Sequence, residues 1–308
     1  MARALDRSPP PLRSRATVAA YRAGSLAARA LPAPVATLAG RAMGAGMAVG
    51  DAARRRMVAR HQQRVHGGTL SPAAERRAIQ RAFDSYARYW VDMFRLPDLS
   101  PAELDAQMSY EGLDRLIGAL DQGRGAICAI PHLGGWDFGG AWIATQGHPI
   151  TVVVEPVEPP ELFEFFAGYR RSLGMTVVPL GPDVATASLR ALRNNEILCL
   201  LSDRGIGSGL VEVEFFGERT MLPSGAAMLS FRTGAPILPV AVYHRGDGHH
   251  GVVRPPLDTT RTPGASLRDD VQRVTQAMAH ELEALIRKAP EQWHLMQPNW
   301  PSDRAGAV

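Results

Sequence analysis

Two kinds of residue are scarce in this chain of 308 residues, which has 2 cysteines and a single lysine, Lys288. Cys128 and Cys199 each lie inside an apolar run, and neither neighbours a cysteine or histidine at metal-ligand spacing. We therefore expect two buried thiols and no metal site, which disfavours a secreted protein held together by disulfides. Apolar runs of about 18 residues, the length that crosses a bilayer, are also missing, and the sequence predicts no signal peptide.

The basic residues are concentrated at the N-terminus. Residues 1–60 hold eleven arginines and two acids, with apolar residues at broadly helical spacing between them. Two interpretations remain open: a basic arm lying on an anionic membrane surface, and a pair of surface helices packed on the rest of the protein. Both can hold at once. Nucleic acid is disfavoured, because no interleaved aromatics and no known binding module accompany the charge.

Apolar periodicity divides the rest of the chain into alternating helices and strands. Residues 72–96 predict one long helix, whose aromatic stripe is typical of a core-facing surface. Further helices are predicted at 100–109, 111–121, 137–146, 161–174, 183–194, 224–234 and 266–289, and strands at 125–130, 151–155, 176–180, 196–202, 211–217, 236–245 and 251–257. This order predicts an α/β fold: a central, mainly parallel sheet with helices on both faces, plus a helical N-terminal region. We assign residues 1–70 to the basic arm, 71–300 to the α/β domain and 301–308 to a tail.

The strand that ends at Ile130 is followed by a histidine, two glycines and an aspartate. Sites in parallel sheets lie beyond the carboxyl ends of strands, where His132 falls. A five-residue step along a regular helix separates two side chains by about 140°. His132 and Asp137 can therefore meet only if His132 lies in the turn before a helix and Asp137 in its first turns. His132 would then take a proton from an alcohol while Asp137 fixes its tautomer. The alternative is a histidine that only caps a helix.

Several blocks beside this pair, in order over about residues 75–300, carry a family resemblance. The chain resembles the bacterial lysophospholipid acyltransferase superfamily and, within it, the lipid A lauroyl acyltransferase group and the actinobacterial phosphatidylinositol mannoside acyltransferases. The blocks are SYARYW (85–90), PHLGGWDFGGAW (131–142), YRRSLGM (169–175), LSDRG (201–205), VEVEFFGE (211–218), LPSGAAMLSFRTGAPILPV (222–240) and EQWHLMQ (291–297). No other histidine in the chain has an acid five residues later, so the family's H-x4-D motif falls on His132 and Asp137.

The resemblance implies O-acyl transfer without a metal or another cofactor. His132 deprotonates a sugar hydroxyl, which attacks the thioester of acyl-CoA, the co-substrate. Backbone N–H groups near Gly134 and Gly135 are candidate oxyanion donors. The implied donor chain is palmitoyl, the implied acceptor is a mannose of phosphatidylinositol mannoside, and the enzyme is expected to be peripheral on the cytoplasmic face of the cell membrane.

Two rival functions remain. One is an acyltransferase that uses acyl carrier protein or acts on a lysophospholipid or a lipid A-type acceptor. The other is a non-catalytic protein that binds lipid or membrane and kept the fold.

Four more residues are candidate substrate-binding groups. Arg170 matches an arginine that lines the active-site groove in the relatives, where a guanidinium can bind phosphate or sugar oxygens. Glu155, at the end of a predicted strand, matches an acid at the groove mouth, or it pairs with Arg170. Asp203 and Arg204 follow another strand, where the relatives often carry Asp-Arg-Asp. Here the third position is Gly205, so one acid is missing.

Overall fold

The computed structural model describes residues 12–304, in which five α-helices precede a series of strands that mostly alternate with helices. The helices are α1 (Leu12–Ala30), α2 (Ala33–Gly50), α3 (Ala52–Val65), α4 (Pro72–Arg95), α5 (Pro101–Ala106), α6 (Leu113–Leu120), α7 (Trp136–Thr145), α8 (Pro160–Ser172), α9 (Val184–Arg193), α10 (Gly225–Thr233), α11 (Leu267–Lys288) and α12 (Pro301–Arg304). The strands are β1 (Met108–Glu111), β2 (Ala126–Ile130), β3 (Ile150–Val154), β4 (Met175–Pro179), β5 (Ile197–Leu201), β6 (Leu210–Phe215), β7 (Glu218–Pro223), β8 (Ile237–Arg245) and β9 (Gly248–Val253).

Seven strands form one sheet in the order β1-β9-β8-β2-β5-β3-β4. Strands β2, β3, β4, β5 and β8 pair in parallel, while β9 returns antiparallel to β8 and pairs in parallel with β1. Strands β6 and β7 form a separate antiparallel hairpin. The continuous apolar runs of β2 and β5 suit strands that are covered on both faces. The predicted α/β class, with a mainly parallel sheet between helices, is confirmed.

Side-chain alternation along β2 divides the core into two layers. Ile127 and Ala129 pack in a cluster with residues of α9, α10 and α11. Ala126 and Cys128 point to the opposite face and pack in a cluster with residues of α6 and α7. The second layer bears on function, because α7 begins directly after the histidine turn.

Helix α4 connects the N-terminal helices to this body, and it confirms the helix predicted at 72–96. Its N-cap, Ser71, accepts a hydrogen bond from the backbone N–H of Ala74. Helices α1, α2 and α3 all pack on α4. Helix α2 lies close against α4 at Gly44, where a Cβ atom would be 2.8 Å from the carbonyl oxygen of Phe83. The interpretation of packed helices therefore holds for residues 12–65.

No helix within residues 12–304 combines the length and the apolar character needed to cross a bilayer. Residues 1–11 of the predicted arm and 305–308 of the predicted tail lie outside the described residues.

Two predicted elements have other bounds in the structure, and two strands of the structure, β1 and β7, are not predicted. The helix predicted at 100–109 ends at Ala106, and an unpredicted edge strand, β1, follows it. Strand β7 was not predicted, because its polar and apolar residues gave no continuous run. The strand predicted at 251–257 lies instead at 248–253, since Pro255 and Pro256 lack the N–H group that a ladder needs.

Candidate active site

The site lies at the carboxyl edge of the sheet, between two adjacent strands. Strands β2 and β5 pair in parallel, with Ile130 opposite Leu201 at their last positions. His132 stands two residues beyond Ile130, and Asp203 stands two residues beyond Leu201. Because Ile130 and Leu201 are paired and each residue stands two positions beyond its strand, the two side chains meet. They are 71 residues apart in the chain.

His132 is held by Asp203 through two contacts. The ring Nδ1 lies 2.7 Å from Oδ1 of Asp203, and the backbone N–H of His132 donates to Oδ2 over 2.9 Å. An ionised carboxylate only accepts hydrogen bonds, so the proton between the two side chains is on Nδ1. The His132 side chain is 21% exposed, whereas that of Asp203 is fully buried. Asp203 thus fixes the Nδ1 side of the His132 ring, while part of the ring remains accessible to a ligand.

Asp203 is stabilised as an anion by further donors. The indole Nε1 of Trp293 donates to Oδ2 of the carboxylate over 2.7 Å. The side-chain amide of Asn299 donates to the backbone carbonyl of Asp203 over 2.9 Å and holds the residue in place. Burial raises the pKa of Asp203, but the charge and hydrogen bonds of His132 and the indole bond outweigh it, so the pKa lies below its ordinary value. The chain thus places a buried negative charge behind His132.

Asp137 occupies its predicted place in the first turn of α7, but it contacts other residues than the predicted one. Arg170 donates Nε to Oδ1 over 2.7 Å and Nη2 to Oδ2 over 2.9 Å, and the Tyr89 hydroxyl donates to Oδ2 over 2.8 Å. The prediction that Asp137 fixes the tautomer of His132 is therefore wrong in this structure. The carboxylate is occupied by a bidentate guanidinium, and Asp203 holds the imidazole instead.

The pair of Asp137 and Arg170 lies in a buried setting. Burial lowers the pKa of Arg170, but the charge of Asp137 more than compensates and raises it above its ordinary value. Burial, followed by the Asp137 charge, raises the pKa of Tyr89 well above its ordinary range, so this hydroxyl remains a donor. Through these contacts Asp137 joins α4, α7 and α8 beside the histidine turn.

The glycine turn after His132 is closed by backbone hydrogen bonds. Gly134, at φ +61°, donates its N–H to the Gln292 carbonyl over 2.9 Å, and Gly135 donates to the Val242 carbonyl over 2.8 Å. These two N–H groups are therefore already used, and oxyanion donation by other backbone N–H groups near them stays a prediction. A Cβ atom at Gly134 would lie 2.1 Å from the carbonyl oxygen of Val242, which explains the glycine.

The remaining predicted residues lie at the same edge of the sheet. Arg204 donates Nη1 to Oε2 of Glu155 over 3.2 Å, so Glu155 pairs with Arg204 rather than with Arg170. Gly205 lies against β7. A Cβ atom there would be 2.3 Å from the Met221 carbonyl oxygen, which leaves no room for any side chain.

An apolar cavity opens beside this site, in the layer between the sheet and α6, α7 and α8. Its cavity volume is about 110 Å³, and it is partly open to solvent. Its wall runs from Ile130 and Leu201 at the carboxyl edge to Ile150 and Ile197 at the other ends of the strands. Five-residue strands span about 13 Å at roughly 3.3 Å per residue, so the cavity is long and narrow. Arg170 and Asp137 are its only charged lining residues among those described.

Sequence reasoning missed two functional candidates. Trp293 was recognised only as part of a block, although that block also supplies His294, whose backbone N–H donates to the His132 carbonyl over 2.7 Å. Tyr89 was assigned to the core, because its place in an aromatic stripe conceals the hydroxyl. Asp203, which the resemblance suggests as a substrate-binding residue, is instead fully buried and holds His132, so substrate cannot reach its side chain.

Comparisons with known proteins found one matching family model and several similar proteins. The protein-family model described as bacterial lipid A biosynthesis acyltransferase matches residues 12–302. The chain is 40% identical over 229 residues to a phosphatidylinositol mannoside acyltransferase of Mycolicibacterium smegmatis, covering 73% of each chain. It is also 40% identical over 228 residues to a protein of the same name from Mycobacterium tuberculosis, covering 72% of this chain and 70% of the relative. A lipid A biosynthesis acyltransferase of Haemophilus influenzae is 24% identical over 218 residues, 70% of this chain and 66% of the relative.

Proposed function

The chain belongs to the bacterial lipid A biosynthesis acyltransferase family, and we propose that it moves a fatty acyl chain from acyl-CoA to a mannose hydroxyl of a phosphatidylinositol mannoside. The observation that carries the reaction type is the contact between His132 and Asp203 beside an apolar cavity. The glycolipid acceptor is supported by the names of relatives at 40% identity.

The proposed reaction uses His132 as a general base and then as a general acid. Asp203 holds Nδ1 in its protonated form, so Nε2 has the free lone pair that removes a proton from the acceptor hydroxyl. The oxygen attacks the thioester carbon, and the tetrahedral intermediate breaks its C–S bond to leave the new ester. The departing thiolate takes the proton back from Nε2, which restores the histidine and releases CoA-SH. Asp203 stabilises the imidazolium between these two steps.

The apolar cavity is the proposed site of the acyl chain. Its lining between the two edges of the sheet is hydrocarbon and sulfur, including Cys128, Val152 and Cys199, so burying methylenes there removes apolar surface from water. Its mouth, at Ile130 and Leu201, directly precedes the two residues that hold and perform the proton transfer. A thioester carbon at the mouth would therefore lie near His132, while the chain extends beneath α7.

Arg170 and Arg204 are assigned to positioning around the acceptor and donor head groups. The charge of Arg170 is neutralised by Asp137, so we assign Arg170 only to shaping the cavity mouth. Arg204 instead forms an ion pair with Glu155, which is partly exposed. A weak, half-exposed pair can exchange its partner for a phosphate or sugar oxygen at little cost. We therefore assign head-group contact to Arg204 and Glu155.

The N-terminal helices are the proposed contact with the membrane. Five of the ten large hydrophobic side chains that are exposed among the described residues lie in α1 and α2, and they are Leu26, Val35, Leu38, Met43 and Val49. Exposed arginines such as Arg22 and Arg41 accompany them. Apolar side chains with arginines between them suit an anionic lipid surface, where each cation adds about 1 kcal/mol. We include association with the cytoplasmic face of the cell membrane in the proposal.

Product analysis tests the reaction and its substrates together. Purified protein is incubated with palmitoyl-CoA or palmitoyl carrier protein and with one acceptor at a time: a phosphatidylinositol mannoside, a lysophospholipid or a lipid A precursor. Mass spectrometry should find a palmitoyl ester of the mannoside with the CoA donor, and none with His132→Ala. A product on another acceptor, or only with the carrier protein, overturns the substrate assignment. No product from any pair, with lipid binding retained, favours a non-catalytic lipid-binding protein.

Vesicle flotation tests the membrane contact. Replacing Leu38 and Val49, which are 68% and 77% exposed, by glutamate should release the protein from vesicles rich in phosphatidylglycerol. The matched control is Leu267→Glu, at an exposed leucine of α11, which should bind like the parent protein. Binding should also weaken as salt rises. Unchanged binding of the double variant would refute the role of these helices.

A further inference from the structure

Two histidines face each other across the hairpin of β8 and β9, away from the acyl-transfer residues. His244 and His249 are directly opposed in the antiparallel register, so their side chains leave the same face of the hairpin. Asp92 of α4 lies beside both. Its Oδ2 is 3.5 Å from Nδ1 of His244 and 3.5 Å from Nε2 of His249. The three ligand atoms all lie within 4.8 Å of one another.

Both imidazoles are buried without hydrogen-bond partners. The His244 side chain is 4% exposed and that of His249 is 2% exposed. Neither ring nitrogen of either histidine has a hydrogen-bond partner among the residues that the structure describes. An unpaired polar group is costly to bury. Each neutral imidazole has one N–H group and one lone pair, so a metal ion would satisfy one nitrogen of each ring.

We propose that Asp92, His244 and His249 bind a divalent transition-metal ion, with Zn²⁺ as the best fit. This departs from the expectation, drawn from the cysteines, that the chain has no metal site. Two imidazoles and one carboxylate are a common zinc set that leaves a fourth position for water. The site differs from the acyl-transfer centre and does not depend on its substrates.

The two separations that involve Oδ2 of Asp92 suit a tetrahedral ion. Ligands about 2.0–2.1 Å from a tetrahedral zinc lie roughly 3.3–3.4 Å apart. The two measured separations from Oδ2 are within 0.2 Å of that value. The Asp92 side chain is 29% exposed, which gives an ion a path from solvent and room for a water ligand.

Arg88 is the one cation that touches the cluster among the described residues. Its Nε donates to Oδ2 of Asp92 over 3.2 Å, while its other nitrogens donate to the carbonyls of Gly246 and Gly248. A carboxylate oxygen has two lone pairs, so Oδ2 can accept from Arg88 and bind a metal together. The guanidinium is thereby directed toward the hairpin turn, and it fixes Asp92 against the two histidines.

The position of the cluster gives the ion a structural role behind the histidine turn. The His249 ring stacks on Phe138 of α7, with ring centroids 3.9 Å apart, and a Cβ atom at Gly135 would lie 2.4 Å from that ring. Strand β8 also supplies the Val242 carbonyl that accepts from Gly135. An ion bound here would join α4 to the hairpin that supports the glycine turn, and would stabilise the folded state.

Metal content of the full-length protein, prepared without a histidine tag, tests the proposal. The protein is incubated with an equimolar amount of ZnSO₄, passed through a desalting column, and measured by plasma mass spectrometry. We expect about one zinc per chain in the parent protein and at least a tenfold loss in His249→Gln. The matched control is His250→Gln, at the neighbouring histidine of β9, which points to the other face and should retain the ion.

Thermal unfolding provides a readout that is independent of catalysis. Zinc should raise the Tm of the parent and of His250→Gln by at least about 3 °C, and EDTA should reverse the rise. Asp92→Asn replaces one oxygen ligand with little change in shape, so it serves if His249→Gln does not fold, and it too should lose both effects. Zinc retention in the parent no greater than in His249→Gln and Asp92→Asn, or a Tm shift in those two variants equal to that of the parent, overturns the proposal.

Discussion

Replacing Asp203 by asparagine should disable His132 as a base, although the buried side chain keeps its size and shape. Oδ2 of Asp203 accepts two hydrogen bonds, from the His132 backbone N–H and from the Trp293 indole. The asparagine oxygen must take that position, because both donors require an acceptor. Its NH₂ group then faces Nδ1 of His132, which has to become an acceptor. The ring proton moves to Nε2, the nitrogen that must remove the substrate proton.

The expected effect is large because the change combines a wrong tautomer with a lost charge. Asparagine in place of the aspartate of a buried Asp-His pair lowers kcat by about 10⁴ in a serine protease, where the same tautomer argument applies. That factor corresponds to roughly 5 kcal/mol of transition-state stabilisation. Asp203 is fully buried and 2.7 Å from Nδ1, so solvent does not screen the lost charge. KM should change little, since the carboxylate lies behind the ring.

Steady-state acyl transfer, followed by mass spectrometry of the esterified product, measures this effect. Asp183→Asn is the matched control, because Asp183 is exposed and its side chain caps no helix. It should retain the parent kcat. A kcat for Asp203→Asn within tenfold of the parent, in a protein with an unchanged Tm, would show that Asp203 does not set the tautomer of His132.

Three further predictions follow from the same contacts. Asp137→Asn leaves the Arg170 guanidinium buried beside a neutral amide, so the free energy of unfolding in urea should fall by about 3–5 kcal/mol; a loss below 1 kcal/mol would contradict the structural role. Cys199→Phe fills the cavity midway along β5, so product analysis should show a shift from palmitoyl toward shorter donors, and an unchanged chain-length profile would place the acyl chain elsewhere. Burial, with a smaller effect of His132, lowers the pKa of His294 to about 3. As the pH falls below about 6.5 the unfolded chain therefore takes up a proton that the folded chain excludes, and stability should decline by up to about 1.4 kcal/mol per pH unit until pH 3. His294→Asn should flatten that decline between pH 4.5 and 6.5, and an equal slope in both proteins would refute it.

Much of the architecture could be predicted because the spacing of apolar residues along the chain indicates each helix and strand. The aromatic and apolar steps of residues 72–96 give α4, and the runs AICAI and ILCLL give the adjacent strands β2 and β5. Parallel strands covered by helices bury both faces, and that burial produces continuous apolar runs. Strands β1 and β7 were missed since they lie at edges or in a hairpin, where half of the side chains are polar.

The site was only half predictable, because its decisive contact is non-local. The chain position of His132, in a turn before α7, follows from a strand, two glycines and a helix pattern. Its partner Asp203 is 71 residues away, and only the pairing of β2 with β5 brings the two together. The metal cluster has the same origin. His244 and His249 flank a tight turn that the sequence shows, but Asp92 joins them only through the packing of α4.

The five-residue spacing of His132 and Asp137 predicts where Asp137 lies, but not which side chain it contacts. Asp137 does lie in the first turn of α7, where the spacing argument required it. There it meets Arg170, which is always charged and cannot be buried without an anion, whereas an imidazole can be neutral. The guanidinium therefore competes successfully for the carboxylate, and the histidine takes the acid that its neighbouring strand supplies. The Asp137 carboxylate fixes the start of α7, and the Asp203 carboxylate fixes the His132 ring. Replacing Asp137 should therefore lower the free energy of unfolding, whereas replacing Asp203 should lower kcat.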